Sequence, residues 1–555
     1  MDRGRRGGTA LPRAQHGFVF LPRIPPIRRL KDFYRGFSYG RALLRDPLPG
    51  DSAGAIRARL ARRADSFIAM IEQAIFAHAE SPYRPLLDAA GYDLARITVL
   101  THQEGVEATL RRLARDGVYV SIEEFKGIRE AQRGNRTFRF SEKDFHNPQT
   151  QPGVLASSGA TRSRGIITRI PVTDRRIRAE HRTLVLAAYG LENERVAVWD
   201  ADAASGLRSL LSFAAMRKPL VRWFVQIPGR VASAGQPHSF YLGIKAAARL
   251  YGIAFPRPTY VPFGQESRIL RWIAEESSGR CTIWATSSAA LRLALTARRA
   301  NTTLANTTFF VGAEPLTPAK HTAIRAVGAR AVGSFGFTEF GVMAYGCLSP
   351  AGPDDMHICR DTAAVIQRER AVDRDDSRVQ ALLFTALRPD ARRTLLNMES
   401  GDYGRIRRRR CGCPLEAVGW EDHLDEVRSF EKLNAEGWCF LGSRLITLIE
   451  ETLPAQFGGD PTDYQLLEHE DHNGRTLLSV LVHPRVGAVD ETDVLACVEQ
   501  TLAPTGGWGC VGMYRDLNTL RVHRAAPRVT RAGKLMPLHH LGQTALVDDL
   551  DRILS

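Results

Sequence analysis

From about residue 66 to about residue 425 the chain alternates two hydrophobic patterns. Short apolar runs such as 307–311 and 330–334 carry the β-branched and aromatic residues of buried strands, while stretches such as 287–300 place apolar residues at helical spacing. This alternation predicts an α/β fold: a large domain with parallel-rich sheets and flanking helices. Upstream, Ile56, Leu60, Phe67, Ile68, Ile71 and Ile75 form a helical stripe. Asp51 or Ser52 can cap it, because a side-chain oxygen there accepts from an otherwise orphaned N–H. After about residue 430 the pattern shortens to strands and hairpins. Segments 464–467 and 477–482 flank an Asn473-Gly474 turn, which suits a small α+β domain. Residues 1 to about 50 mix Arg, Gly and Pro with neither period and read as a flexible or loosely docked extension. The expected organisation is a basic extension over 1–65, a large domain over 66–428 and a small mobile domain over 429–555.

Composition narrows the function. At 44% hydrophobic and 25% charged, the 555 residues are neither fibrous nor wholly disordered, and they exceed one ordinary core. A formal charge of +16 first suggests nucleic acid or an anionic membrane. However, the first 65 residues carry +10 of it, leaving +6 for the rest, so a nucleic-acid partner is not expected. Only 8 of the 76 basic residues are lysine, which makes each Lys informative. No apolar run reaches the roughly 18 residues of a membrane span, and the N-terminus lacks the apolar core of a secretory signal. A cytoplasmic location is expected. Eight cysteines are too sparse for a disulfide scaffold. In a reducing compartment the clustered ones, Cys347, Cys359, Cys411 and Cys413, suit metal ligands.

Two patterns carry little chemistry. Gly507-Trp-Gly509-Cys-Val-Gly512 matches a dinucleotide fingerprint but lacks the preceding strand and following helix that would make it one. Glu468-His469-Glu470-Asp471-His472 resembles a metal cluster but sits where a polar hairpin tip is expected.

Four segments make a stronger case together than singly. The loop Ser157-Ser158-Gly159-Ala160-Thr161-Arg162-Ser163-Arg164-Gly165 can wrap phosphate oxygens with N–H groups, hydroxyls and guanidiniums. Next comes a strand running into Gly312-Ala313-Glu314-Pro315. The segment Ser334-Phe335-Gly336-Phe337-Thr338-Glu339 then supplies an aromatic to stack on a purine, a hydroxyl for a phosphate and a carboxylate for Mg²⁺. In Ser400-Gly401-Asp402-Tyr403-Gly404, a turn-borne carboxylate can accept both hydroxyls of a ribose.

In order and content these segments resemble the core motifs of the adenylate-forming superfamily of acyl-CoA synthetases, luciferases and peptide-synthetase adenylation domains, most closely its phenylacetate-CoA ligase branch. The resemblance runs from about residue 66 to the end and implies an ATP- and Mg²⁺-dependent ligase with a mobile C-terminal lid. It implies phosphate binding by Ser158, Gly159, Thr161 and Arg162, nucleotide contacts from Gly312, Ala313, Glu314, Phe335 and Gly336, and an α-phosphate contact from Thr338. Glu339 would hold Mg²⁺, and Asp402 with Arg428 the ribose. Pro527-Arg-Val-Thr530-Arg-Ala-Gly533-Lys534 resembles the family's C-terminal motif, which gives Lys534 the first half-reaction. Cys347, His357, Cys411 and Cys413 lie where several members of the branch bind zinc, with Cys359 as a substitute ligand. His238, Phe240 and Tyr241 are candidates for an acid pocket suited to an aryl or medium apolar acid.

The chain departs from the family at Arg162-Ser163-Arg164, at Phe430 and at Gly442–Thr447. The last two fall on parts that rotate for thioester formation. CoA is the acceptor the resemblance favours, with an amine or a carrier protein as alternatives. A non-catalytic nucleotide-binding relative is disfavoured by Glu339, Asp402 and Lys534. A role in secondary metabolism and a homodimer are further expectations.

Overall fold

The computed structural model describes residues 26–157, 166–201, 203–218, 220–227, 237–262, 264–277, 280–371, 378–430, 434–435, 438–439, 442–470, 476–502, 520–530 and 534–540. A twelve-stranded mixed sheet organises the large domain. Its parallel half runs, in spatial order, Pro258–Tyr260, Leu220–Val225, Arg195–Asp200, Cys281–Thr286, Thr307–Gly312 and Arg330–Phe337. Parallel neighbours need long crossovers. Helices such as Ala203–Ala215, Ser287–Arg299 and Pro318–Ala326 supply them, and strands covered on both faces read as continuous apolar runs. From Arg330–Phe337 onward every pairing is antiparallel, through Gly341–Gly346, Met356–Ile358, Asp422–Ser429, Met398–Arg408, Arg378–Ala386 and Ala363–Ala371. The sheet thus changes character at the strand that ends in the aromatic-Gly segment, and such switch points are where open α/β sheets form crevices.

Within the stretch expected to be flexible or loosely docked, residues 26–44 form a packed helix. Helix Pro26–Leu44 packs on helix His238–Leu250, and Tyr39, Leu43 and Leu44 are buried. Backbones meet because small residues face each other: a Cβ at Gly36 would stand 2.0 Å from the Phe240 carbonyl oxygen, and one at Gly243 equally close to that of Phe33. Frequent arginines had masked this apolar stripe. Asp51 caps helix Ser52–Ala61 by accepting from Gly54 N–H at 2.7 Å. The helix expected to continue to Ile75 breaks at Arg62 and resumes as Arg63–Ile71 and the wide turn Glu72–Phe76. Ile56, Phe67, Ile71 and Ile75 are wholly buried, and Leu60 and Ile68 half-buried.

The C-terminal part has its own core, in which Leu448, Leu466, Val480, Val494 and Leu538 meet. Its four strands are ordered Leu520–His523, Thr476–Val482, Tyr464–Glu470 and Leu538–His540. The two strands of the expected hairpin are antiparallel from Tyr464 opposite Val482 to Glu470 opposite Thr476. Asp471, His472, Asn473, Gly474 and the Gly507–Gly512 pattern lie outside the described residues. Among the described residues no helix is long and apolar enough to cross a membrane.

A buried ion pair joins this part to the parallel half. Lys320 Nζ lies 2.9 Å from Glu450 Oε1, the two side chains being 6% and 5% exposed, and the Thr317 hydroxyl donates to Glu450. Removing one partner of such a pair leaves an uncompensated buried charge, at a cost of about 3–5 kcal/mol. Lys320→Met should therefore lower the calorimetric unfolding temperature, and adding Glu450→Leu should recover most of the loss. A double variant no more stable than the single would contradict this assignment.

Candidate active site

A cavity of about 1160 Å³ lies beside the carboxyl ends of strands Thr307–Gly312 and Arg330–Phe337. Ala313, Glu314, Phe335, Gly336, Asp402, Arg428 and Lys534 all line it, although they span more than 220 positions of sequence. Ala313 has φ +67°, a left-handed turn that brings Glu314 back over the adjacent helix. There the Glu314 carboxylate accepts from the Ser288 backbone N–H at 2.8 Å and from its hydroxyl at 2.9 Å, satisfying the start of helix Ser287–Arg299. Gly312 is not on the cavity wall. A Cβ there would stand 2.7 Å from Ser334 Oγ, so its small size serves strand packing. Phe335 lies 5.9 Å from the Phe384 ring, and a Cβ at Gly336 would meet the Gly341 carbonyl oxygen at 2.4 Å.

The opposite wall brings distant segments together. Asp402 Oδ2 accepts from the Ser400 hydroxyl at 2.9 Å. Arg428, paired across the strands with Tyr403, donates from Nη1 to Asp354 Oδ2 at 2.8 Å. Lys534 N–H donates to Thr530 Oγ1 at 3.1 Å, and Leu535 N–H reaches Ser288 Oγ at 3.5 Å. Ser288 therefore touches both the Glu314 turn and the segment bearing Lys534.

Thr338 and Glu339 do not line this cavity. Glu339 faces a smaller one of about 340 Å³, whose walls include Asp174, Arg178, Arg388, Arg392 and Arg393. The Thr338 carbonyl accepts from Arg392 Nη1 at 2.9 Å, and Arg392 pairs with Asp174 at 2.6 Å. Burial pushes the Glu339 pKa up, offset only in part by its own backbone N–H and by Arg393, Lys126 and Arg392. A carboxylate kept this dry, at 6% exposure, is a group a cation would stabilise. Ser158, Gly159, Thr161 and Arg162 lie outside the described residues. The strands flanking their loop, Gly153–Ser157 and Ile167–Pro171, pair antiparallel, and Arg393 donates to the Ile167 carbonyl at 2.8 Å. The base of the loop thus stands beside the cavity that Glu339 faces.

His238, Phe240 and Tyr241 line neither cavity, contrary to expectation. Phe240 and Tyr241 are buried against Tyr39 and Trp223, and His238 lies against Tyr241. Docking of the N-terminal helix takes up the face that sequence suggested for the acid.

The four expected zinc ligands converge. His357 Nε2 is 3.1 Å from Cys413 Sγ and 3.5 Å from Cys411 Sγ. The Cys347 thiol donates to Cys413, which drives the Cys347 pKa up and draws that of Cys413 down. His423, absent from the sequence expectation, joins them: it, Cys347, His357 and Cys411 offer ligand atoms all within 4.8 Å of one another. His357 Nδ1 lies 2.6 Å from the Trp420 carbonyl and His423 Nδ1 2.6 Å from Asp355 Oδ1, which turns each Nε2 toward the thiols. Four of these five donors are what a tetrahedral metal ion takes, and the outer nitrogen of each imidazole is already engaged. Cys359 is not in the group. It is buried nearer Asp361, and burial raises its pKa.

Sequence reasoning missed Asp354 and Met356, both on the wall of the large cavity. The signal available was a tandem Asp354-Asp355 inside a loop bounded by two of the expected ligands, Cys347 and His357.

No family model matches the chain, and no curated protein matches it. Solved structures do. A 2-hydroxyisobutyryl-CoA ligase, in complex with 2-HIB-AMP and CoA, is 15% identical with a TM-score of 0.46, covering 92% of this chain and 94% of its own. The amide bond synthetase Mcba from Marinactinospora thermotolerans is 14% identical with a TM-score of 0.38, covering 90% and 97%. McyG A-PCP, complexed with phenylalanyl-adenylate, is 10% identical with a TM-score of 0.39, covering 86% and 87%. At these values each is a likeness to a solved structure and assigns no role to this chain. The solved structures to which this α/β chain is similar are adenylate-forming enzymes.

Proposed function

We propose that the protein is an ATP- and Mg²⁺-dependent ligase that activates a carboxylic acid. The observation that carries this reading is one cavity on which Glu314, Phe335, Asp402, Arg428 and Lys534 converge. In the first half-reaction a carboxylate oxygen bonds to the α-phosphorus of ATP, the bond to the bridging oxygen breaks, and pyrophosphate leaves. Phe335 stacks on adenine, Asp402 and Arg428 hold the ribose, and Lys534 balances the charge that builds on the transferring phosphorus. Glu339, which faces the smaller cavity, would hold Mg²⁺, and the ion would supply charge neutralisation to phosphate oxygens. The loop of Ser158, Gly159, Thr161 and Arg162 takes the leaving phosphates.

In the second half-reaction an acceptor attacks the acyl carbon, loses its proton and displaces AMP. The part beyond residue 429 acts as the mobile lid that changes position between the two steps. CoA is the acceptor in the reading we favour, and an amine or a carrier protein is the alternative. Residues drawn from Cys347, His357, Cys411, Cys413 and His423 would hold zinc, which would staple the segment after the aromatic-Gly motif to the segment after Asp402. The free thiols Cys281, Cys347, Cys359, Cys411, Cys413 and Cys497 suit a reducing cytoplasm.

ATP–pyrophosphate exchange over a panel of carboxylic acids, followed by an acceptor screen with and without CoA, tests the proposal. At least one acid should support exchange. If folded protein binds ATP and no acid does, the ligase reading is wrong.

A further inference from the structure

The Cys/His cluster and the large cavity share one loop. Cys347 follows strand Gly341–Gly346 and His357 lies in strand Met356–Ile358, so the intervening loop is anchored at both ends by members of the cluster. Near the end of that loop, consecutive carboxylates face opposite sites. Asp355, whose side chain is fully buried, receives the Ala351 backbone N–H at 2.7 Å and Arg409 Nη2 at 2.6 Å, and lies 2.6 Å from His423 Nδ1. The same Arg409 nitrogen donates to the Ser349 carbonyl at 2.8 Å and reaches Cys347 Sγ at 3.6 Å, tying both limbs of the loop to the cluster. Asp354, one residue earlier, is on the wall of the large cavity and accepts from Arg428. Arg428 Nε is buried with no partner, and its only other hydrogen bond among the described residues goes to the Val427 carbonyl. Asp354 is therefore the carboxylate that orients this guanidinium. A charge-assisted pair of this kind fixes direction as well as energy.

We infer that the Cys/His cluster regulates the nucleotide site: through Asp355 it fixes Asp354, and through Asp354 it aims Arg428 at the ribose, so that loosening the cluster weakens ATP binding. Asp354 and Asp355 are positioning residues in this scheme, which rests on the reading of Arg428 as a ribose contact. Its specific consequence is that damage at the cluster falls on ATP and spares the acid. A merely structural role would lower stability and affect both substrates alike.

The test compares wild type, Arg409→Ala, Asp355→Asn and Arg428→Ala. ATP affinity is measured by equilibrium dialysis, KM for ATP and for the acid by pyrophosphate exchange, and zinc by metal analysis. Arg409→Ala removes a partly exposed side chain that is neither a ligand nor on the cavity wall, and it decides the matter if Asp355→Asn fails to fold. It should weaken ATP binding about 3- to 10-fold with an unchanged KM for the acid. Stripping wild type of metal with a chelator should shift ATP affinity in the same direction, and stripping Arg409→Ala should add little, since both act through one loop. Unchanged ATP affinity in folded Arg409→Ala, or equal rises in both KM values, overturns the inference. If Arg428→Ala weakens ATP binding and Arg409→Ala does not, only the inference falls. If Arg428→Ala binds ATP normally, the ribose reading falls with it.

Discussion

Replacing Lys534 with alanine is expected to slow pyrophosphate exchange by about 100- to 1000-fold, the loss typical when one preorganised charge facing a transition state is removed. Conversion of a supplied acyl-adenylate should stay within a few fold of wild type, because phosphoryl transfer is already complete in that substrate. Lys534 is on the cavity wall, its backbone bonded to Thr530 and its neighbour Leu535 reaching Ser288. Lys534 thus belongs to the C-terminal part, while Phe335 belongs to the large sheet and Glu314 to the turn that follows one of its strands. Lys534→Arg should rescue little, since a planar fork does not replace a compact ammonium. Equal losses in both half-reactions would refute the assignment.

Cys413→Ser is expected to reduce bound zinc from about one ion per chain to a small fraction and to lower the unfolding temperature by on the order of 10 °C, as chelation of wild type should too. A bound ion stabilises the native state by mass action, and several kcal/mol corresponds to a shift of this size in a large domain. The cluster joins the end of strand Gly341–Gly346, strand Met356–Ile358 and the turn holding Cys411 and Cys413, segments that otherwise share few covalent constraints. Cys497→Ser is the control, because that thiol is buried in the separate C-terminal core. Freshly purified, reduced protein without zinc would remove the metal, and equal destabilisation by Cys413→Ser and Cys497→Ser would make the cluster an ordinary packed core.

The alternation of strand and helix patterns was legible because burial on one or two faces imposes a period that composition cannot hide. The runs at 307–311 and 330–334 and the stretch at 287–300 are elements of the structure to within a few residues. The N-terminal helix was not legible, since its burial depends on a partner helix about 200 residues away and on glycines at the contact. The surroundings of His238, Phe240 and Tyr241 were not legible for the same reason: an aromatic at a helix start has no address until its neighbour is known.

Local chemistry is what the sequence by itself determined: which loops carry glycine and hydroxyls, which strands run into a carboxylate, and that a rare lysine follows a glycine turn. These depend on spacings of a few residues, which the covalent chain sets. The tertiary structure decided which groups face one another across long separations. It put Asp354 on Arg428, Glu450 on Lys320 and His423 beside the thiols, and it set Glu339 in a different cavity from Phe335, four residues away. Such pairings are fixed by strand order in the sheet and by which residue of a turn points to which side, and neither is written in any local spacing.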